Sequence, residues 1–170
     1  MVKRGGKEER AVRTVMVDIK RTNPAVSYFR DNTVGSRCLR NRINFLIRNT
    51  MTGLRKSPEE RSHNETEALH TVFTGIQKAN RHIDELNEKA RQKVISQASQ
   101  KGLEGDEARI FIEEGLASLE EKKHFPYPTM EHWFLGYEVL DAIMRATKDP
   151  FYYACTSQVN QQAIRKTVAS

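Results

Sequence analysis

The chain has 170 residues, 38% of them hydrophobic and 29% charged, with 28 Lys and Arg against 22 Asp and Glu for a net charge of +6. These figures exclude a collagenous, an acidic disordered and a membrane-embedded chain, and describe one soluble domain or a little more. No window approaches the roughly 18 to 20 apolar residues of a bilayer crossing, and Met1 to Arg10 is charged where a secretory signal needs an apolar core, so a cytoplasmic protein is expected.

Residues 1–10 are polar, contain Gly5-Gly6 and show no apolar period, which predicts a loose basic arm. From Ala11 to Ile19, β-branched residues alternate with Arg13, Asp18 and Lys20, the two-residue rhythm of a strand. A lone strand must pair with something, either with weaker strands elsewhere in the chain or with chain that is not present here, the latter a first sign of an incomplete structural unit. A helix is predicted from a cap at Asn32 or Thr33 to about Leu54, where Cys38, Leu39, Ile43, Leu46, Ile47 and Met51 recur at helical intervals. Ser57-Pro58-Glu59-Glu60 restarts helix with a Ser cap, Pro in the first turn and acids at the positive end of the dipole.

The stripe of Leu69, Val72, Phe73, Ile76, Ile83, Leu86, Ala90 and Val94 predicts a long helix over 64–101, ended by Gly102. A second helix over 106–123, with Ile110, Phe111, Ile112, Leu116 and Leu119 as its apolar side, makes an antiparallel hairpin. Pro126 and Pro128 interrupt. Thr129 is then read as the cap of a helix carrying Trp133, Phe134, Tyr137, Leu140, Ile143 and Met144, which Lys148-Asp149-Pro150 ends. A final helix capped at Thr156 or Ser157 runs to the terminus. The expected fold is mainly α: a basic arm and strand over 1–21, and a helical lobe over 22–170 that contains an acidic hairpin at 57–124 and two further helices at 125–170.

Charge divides sharply along this plan. Residues 1–56 hold 14 basic and 4 acidic side chains, residues 57–124 hold 10 and 14, and residues 125–170 hold 4 of each. Clustered Lys and Arg release counterions from a polyanion, so the first third is the part expected to meet nucleic acid.

Catalytic patterns are missing. There is no phosphate-cradling Gly-Lys-Ser/Thr loop, dinucleotide fingerprint, nucleophile elbow or His-Glu-x-x-His helix. Cys38 and Cys155 have no second Cys or His at ligand spacing, and the five histidines form no set, so no metal site, no cofactor and no catalytic residue is expected. What remains is a binding surface. Ser157, Gln158, Gln161 and Gln162 place short polar and amide groups on adjacent turns of the last helix, and Gln pairs in bidentate fashion with adenine edges. Trp133, Tyr137 and Tyr152 are candidates for stacking on bases.

Three stretches carry a resemblance to a known family. Trp133 to Asp141 (WFLGYEVLD) followed by Ser157 to Arg165 (SQVNQQAIR), Asn44 to Arg48 with Met51-Thr52-Gly53-Leu54, and the strand at Arg13 to Lys20 are similar to the N-terminal portion of TnpB-type RNA-guided nucleases of insertion sequences, relatives of type V CRISPR effectors. Cys155-Thr156 departs from the family's usual dipeptide ahead of the last helix. The resemblance implies a wedge strand and recognition lobe without the RuvC-like catalytic domain, whose acidic residues would lie beyond Ser170. It also implies that Tyr137, Ser157, Gln161, Gln162 and Asp141 face the duplex motif beside the target DNA. Arg42, Asn44 and Arg48 would approach the guide RNA or the guide–target heteroduplex, which such proteins read by backbone and shape. Guide RNA, target DNA and the remaining nuclease portion are the implied partners, met in a prokaryotic cytoplasm at the nucleoid.

Two other classes fit the same residues. A free-standing helical regulator would read operator DNA with its last helix and dimerise through the hairpin. A helical protein-interaction scaffold would bind nucleic acid only weakly and at low salt.

Overall fold

The computed structural model describes residues 20–169, and these form six α-helices and one 3-10 turn. The expected strand at Ala11 to Ile19 lies outside the described residues. The mainly helical expectation holds for the rest.

Helix α1 spans Ala25–Gly53 and buries Gly35, Leu39, Ile43, Leu46, Thr50 and Gly53, one residue every three or four. It starts a full two turns before the predicted cap. Asn32 Nδ2 donates to the Tyr28 carbonyl at 2.8 Å and Thr33 Oγ1 to the Phe29 carbonyl at 2.7 Å, so the two residues bond back into the preceding turn and do not cap this helix, while Asn32 Oδ1 accepts from the distant Thr156 N–H at 3.4 Å.

Ser57 to Glu60 likewise begins no long helix. It makes a single 3-10 turn, Pro58–Glu60, and a second capping box follows at once. Ser62 Oγ accepts from the Glu65 N–H at 3.3 Å while the Glu65 carboxylate accepts from the Ser62 N–H at 2.8 Å, and this opens α2, His63–Gln100. At its far end Gly102 adopts φ +67°, with Gly102 N–H bonded to Ser99 O and Leu103 N–H to Ala98 O, a Schellman stop.

Helix α3, Gly105–Ala117, is shorter than the predicted 106–123. The side chains of two asparagines on α2 explain why. Asn87 Nδ2 donates to Lys122 O at 3.0 Å and Asn87 Oδ1 accepts from Lys122 N at 2.9 Å; Asn80 does the same to Phe125, at 3.0 and 2.8 Å. Seven residues of helix rise about 10.5 Å, and three residues of extended chain span about 10 Å, so the two clasps match only a drawn-out backbone. Glu120 to Lys123 has good helix formers, and these tertiary bonds override them.

The predicted helix from Thr129 also starts late. Thr129 N–H bonds to His132 O at 3.1 Å, closing a tight turn, and α4 covers only Tyr137–Ala146, leaving Trp133 and Phe134 before it. Lys148, at φ +53°, ends α4 in the left-handed position, and Asp149 caps the short α5, Pro150–Tyr153. The last helix, α6, is Ser157–Val168, with Thr156 at the N-cap position.

One apolar core joins these elements: Leu39, Ile43 and Leu46 of α1, Val72 and Ile76 of α2, Leu140, Ile143 and Met144 of α4, and Ile164 of α6. Gly75 lets α2 approach α4, for a Cβ there would stand 2.8 Å from Ile143 Cγ2. The distal half of α2 leaves this core and packs against α3 and the chain that returns through Glu121 and Lys122.

Candidate nucleic-acid interface

Helix α6 turns one side to the core and the other outward. Asn160, Ala163, Ile164 and Thr167 are buried, while Ser157, Gln158, Gln162 and Arg165 are exposed and Gln161 is half-buried. The buried Asn160 sets the helix's start: its Nδ2 donates to the carbonyls of Tyr152 and Cys155. Cys155 Sγ in turn lies 3.6 Å from Asn32 O, in the space that Gly35 leaves on α1. The amides predicted to read bases are therefore mounted on a packed helix whose origin is fixed by side-chain bonds.

Tyr137, in the first turn of α4, joins this surface. Its ring lies under the Arg165 guanidinium, 4.9 Å from the ring centre. Arg165 is thus a neighbour of the candidate site that sequence reasoning passed over, although its spacing from Ser157 and Gln161, i+8 and i+4, marked it on the same face.

Asp141 has a different setting. Its Oδ1 accepts from the Tyr152 hydroxyl at 2.7 Å, its Oδ2 pairs with Arg145 Nε at 3.0 Å, and Arg145 Nε also donates to Tyr152 Oη at 2.9 Å. Burial, reinforced by the bond to Asp141, raises the Tyr152 phenol above its ordinary pKa. The bond to Tyr152, then the charge of Asp141, raises that of the Arg145 guanidinium. Both Asp141 oxygens are engaged within the fold, and Tyr152 is buried, away from any stacking role.

On α1 the structure brings two of the three predicted RNA contacts together and separates the third. Asn44 and Arg48 line one shallow groove of about 610 Å³ with Asn41, Phe45, Asn49, Thr52 and Glu65. Arg42, pointing about 200° away around the helix from Asn44, pairs through Nε with Asp149 at 3.2 Å and through Nη1 with Glu67 at 3.0 Å. It ties α1 to α2 and to the α5 cap.

At 100° per residue, Arg30, Arg37, Asn41, Asn44 and Arg48 fall on a single stripe about 27 Å long, opposite the buried face. Arg30, Arg37, Arg40 and Arg48 are exposed and make no ion pair among the described residues. Arg30, Arg37 and Arg48 thus form a line of guanidinium groups along this face of α1 with no ion-pair partner among the described residues. A separate aromatic hollow of about 390 Å³ is lined by Pro126, Tyr127, Trp133 and Phe134, with Tyr127 stacked on Phe73 at 5.4 Å.

Among the described residues no three His, Cys, Asp or Glu side chains are grouped to hold a metal ion, and no helix is long and apolar enough to cross a membrane. Compared with protein-family models, curated proteins and solved structures, the chain matches none of them.

Proposed function

We propose that this chain is the noncatalytic N-terminal nucleic-acid-binding portion of a TnpB-like RNA-guided DNA endonuclease. The arginine and asparagine stripe of α1 grips the sugar-phosphate backbone of a guide RNA or guide–target heteroduplex. The outward face of α6, with Tyr137, reads the duplex motif beside the target, and cleavage falls to the remaining nuclease portion. One observation carries the reading: four exposed arginines on one helix have no acidic partner among the described residues, an arrangement whose self-repulsion a polyanion relieves. The resemblance at Ser157 to Arg165 supplies the family, and the exposure of Ser157, Gln158 and Gln162 is consistent with base reading.

The test is an electrophoretic shift of the full chain on randomised-flank duplex, with and without guide RNA transcribed from its own locus and the complementary nuclease portion. Motif-dependent binding that requires the RNA is the expected result. Tight binding to one duplex without RNA would instead make the chain a free-standing regulator, and weak binding abolished at modest salt would make it a protein scaffold.

A further inference from the structure

Beyond Asn87 the α2–α3 hairpin stands clear of the core, and α3 contains no buried residue. Its packing on α2 is fixed at one point: a Cβ on Gly115 would stand 2.6 Å from Val94 Cγ1, so these two residues face each other. Lys93 precedes Val94 and Glu114 precedes Gly115, and each is therefore turned 100° in the same sense from the contact line. In antiparallel helices equal rotations in the same sense point to the same flank. That flank carries Lys89 and Lys93 on α2 and Glu107 and Glu114 on α3, with Ile110 beside them 56% exposed. None of the four charged side chains has an ion pair among the described residues. On the opposite flank the charges are already satisfied, Arg109 with Glu113 and Arg91 with Glu121.

We propose that this flank binds a second copy of the chain. A two-fold axis parallel to the hairpin places α2 of each copy on α3 of the other at unchanged height. Lys93 then meets the partner's Glu114, and the two Ile110 side chains are drawn from water. Lys93 and Glu114 lie within about 3 Å of the same height, so the two-fold axis makes two such pairs, while Lys89 and Glu107 lie about 20 Å apart along the hairpin and only add to the charge of their own helices. The product is an antiparallel four-helix bundle about 20 Å long, the length of α3. So small an interface predicts a reversible, micromolar dimer.

Sedimentation of the full chain over roughly 1–200 µM tests this, with two charge-reversed variants, Lys93→Glu and Glu114→Lys, whose helix content is checked by circular dichroism. Each variant alone opposes like charges and dimerises at least about tenfold more weakly. Mixed together they restore both cross-copy pairs and form a heterodimer. A wild-type chain that stays monomeric throughout, variants that dimerise like wild type, or a mixture that remains monomeric would each overturn the proposal.

Discussion

The Arg165 guanidinium sits 4.9 Å from the centre of the Tyr137 ring, so the side chain that opens α4 and one near the end of α6 share a surface. Tyr137→Ala and Arg165→Ala should therefore be non-additive: a double-mutant cycle on motif binding in the complete guide complex is expected to give a coupling of about 0.5–2 kcal/mol. Independent effects would mean that the two side chains do not act as one contact.

Gln161→Ala is expected to weaken recognition of the adjacent duplex motif by about 1–3 kcal/mol in the complete protein and to relax preference at one base position. Randomised-flank binding measures both, and an unchanged preference would remove Gln161 from the reading face.

Arg48→Ala should behave differently. A phosphate contact carries no sequence information, so affinity should fall across all sequences and the slope of log K against log salt should become shallower by about one. Arg42→Ala should instead lower folding stability, since its partners Asp149 and Glu67 lose an internal cation.

Asn80→Ala removes the donor and the acceptor that hold Phe125, at a cost of about 1–3 kcal/mol in chemical denaturation. Hydrogen exchange at the Phe125 amide should accelerate with it. Exchange unchanged there would show that the clasp is not what orders this segment.

Glu65 gives a pH signature. The Lys56 ammonium, then the Ser62 N–H, hold its carboxyl at about 2, below an ordinary value of 4.5. A depressed folded-state pKa means that the contribution is complete above about 4.5 and is lost as pH falls toward 2. Urea midpoints measured across that window should fall less steeply for Glu65→Gln than for wild type.

Much of this architecture was legible in residue order. The apolar period of 39, 43 and 46, the Gly102 stop and the helical hairpin all follow from spacing and local chemistry. The boundaries that moved did so for long-range reasons. Glu120 to Lys123 looks helical until Asn80 and Asn87 capture the backbone, and nothing near 120 encodes bonds to residues 35 to 45 positions earlier. The site was divided in the same way. The outward amides of α6 are readable from a helical wheel, whereas the internal engagement of Arg42 and Asp141 depends on Asp149, Glu67 and Tyr152, which only folding brings near.

The paired asparagine clasps make the helical hairpin a detachable excursion. Because the returning chain is caught again at Lys122 and Phe125, whatever lies farther out adds no strain to the packed layer beneath. A hairpin shortened beyond Asn87 and Lys122 is therefore expected to leave the surface presented by α1, α4 and α6 unchanged.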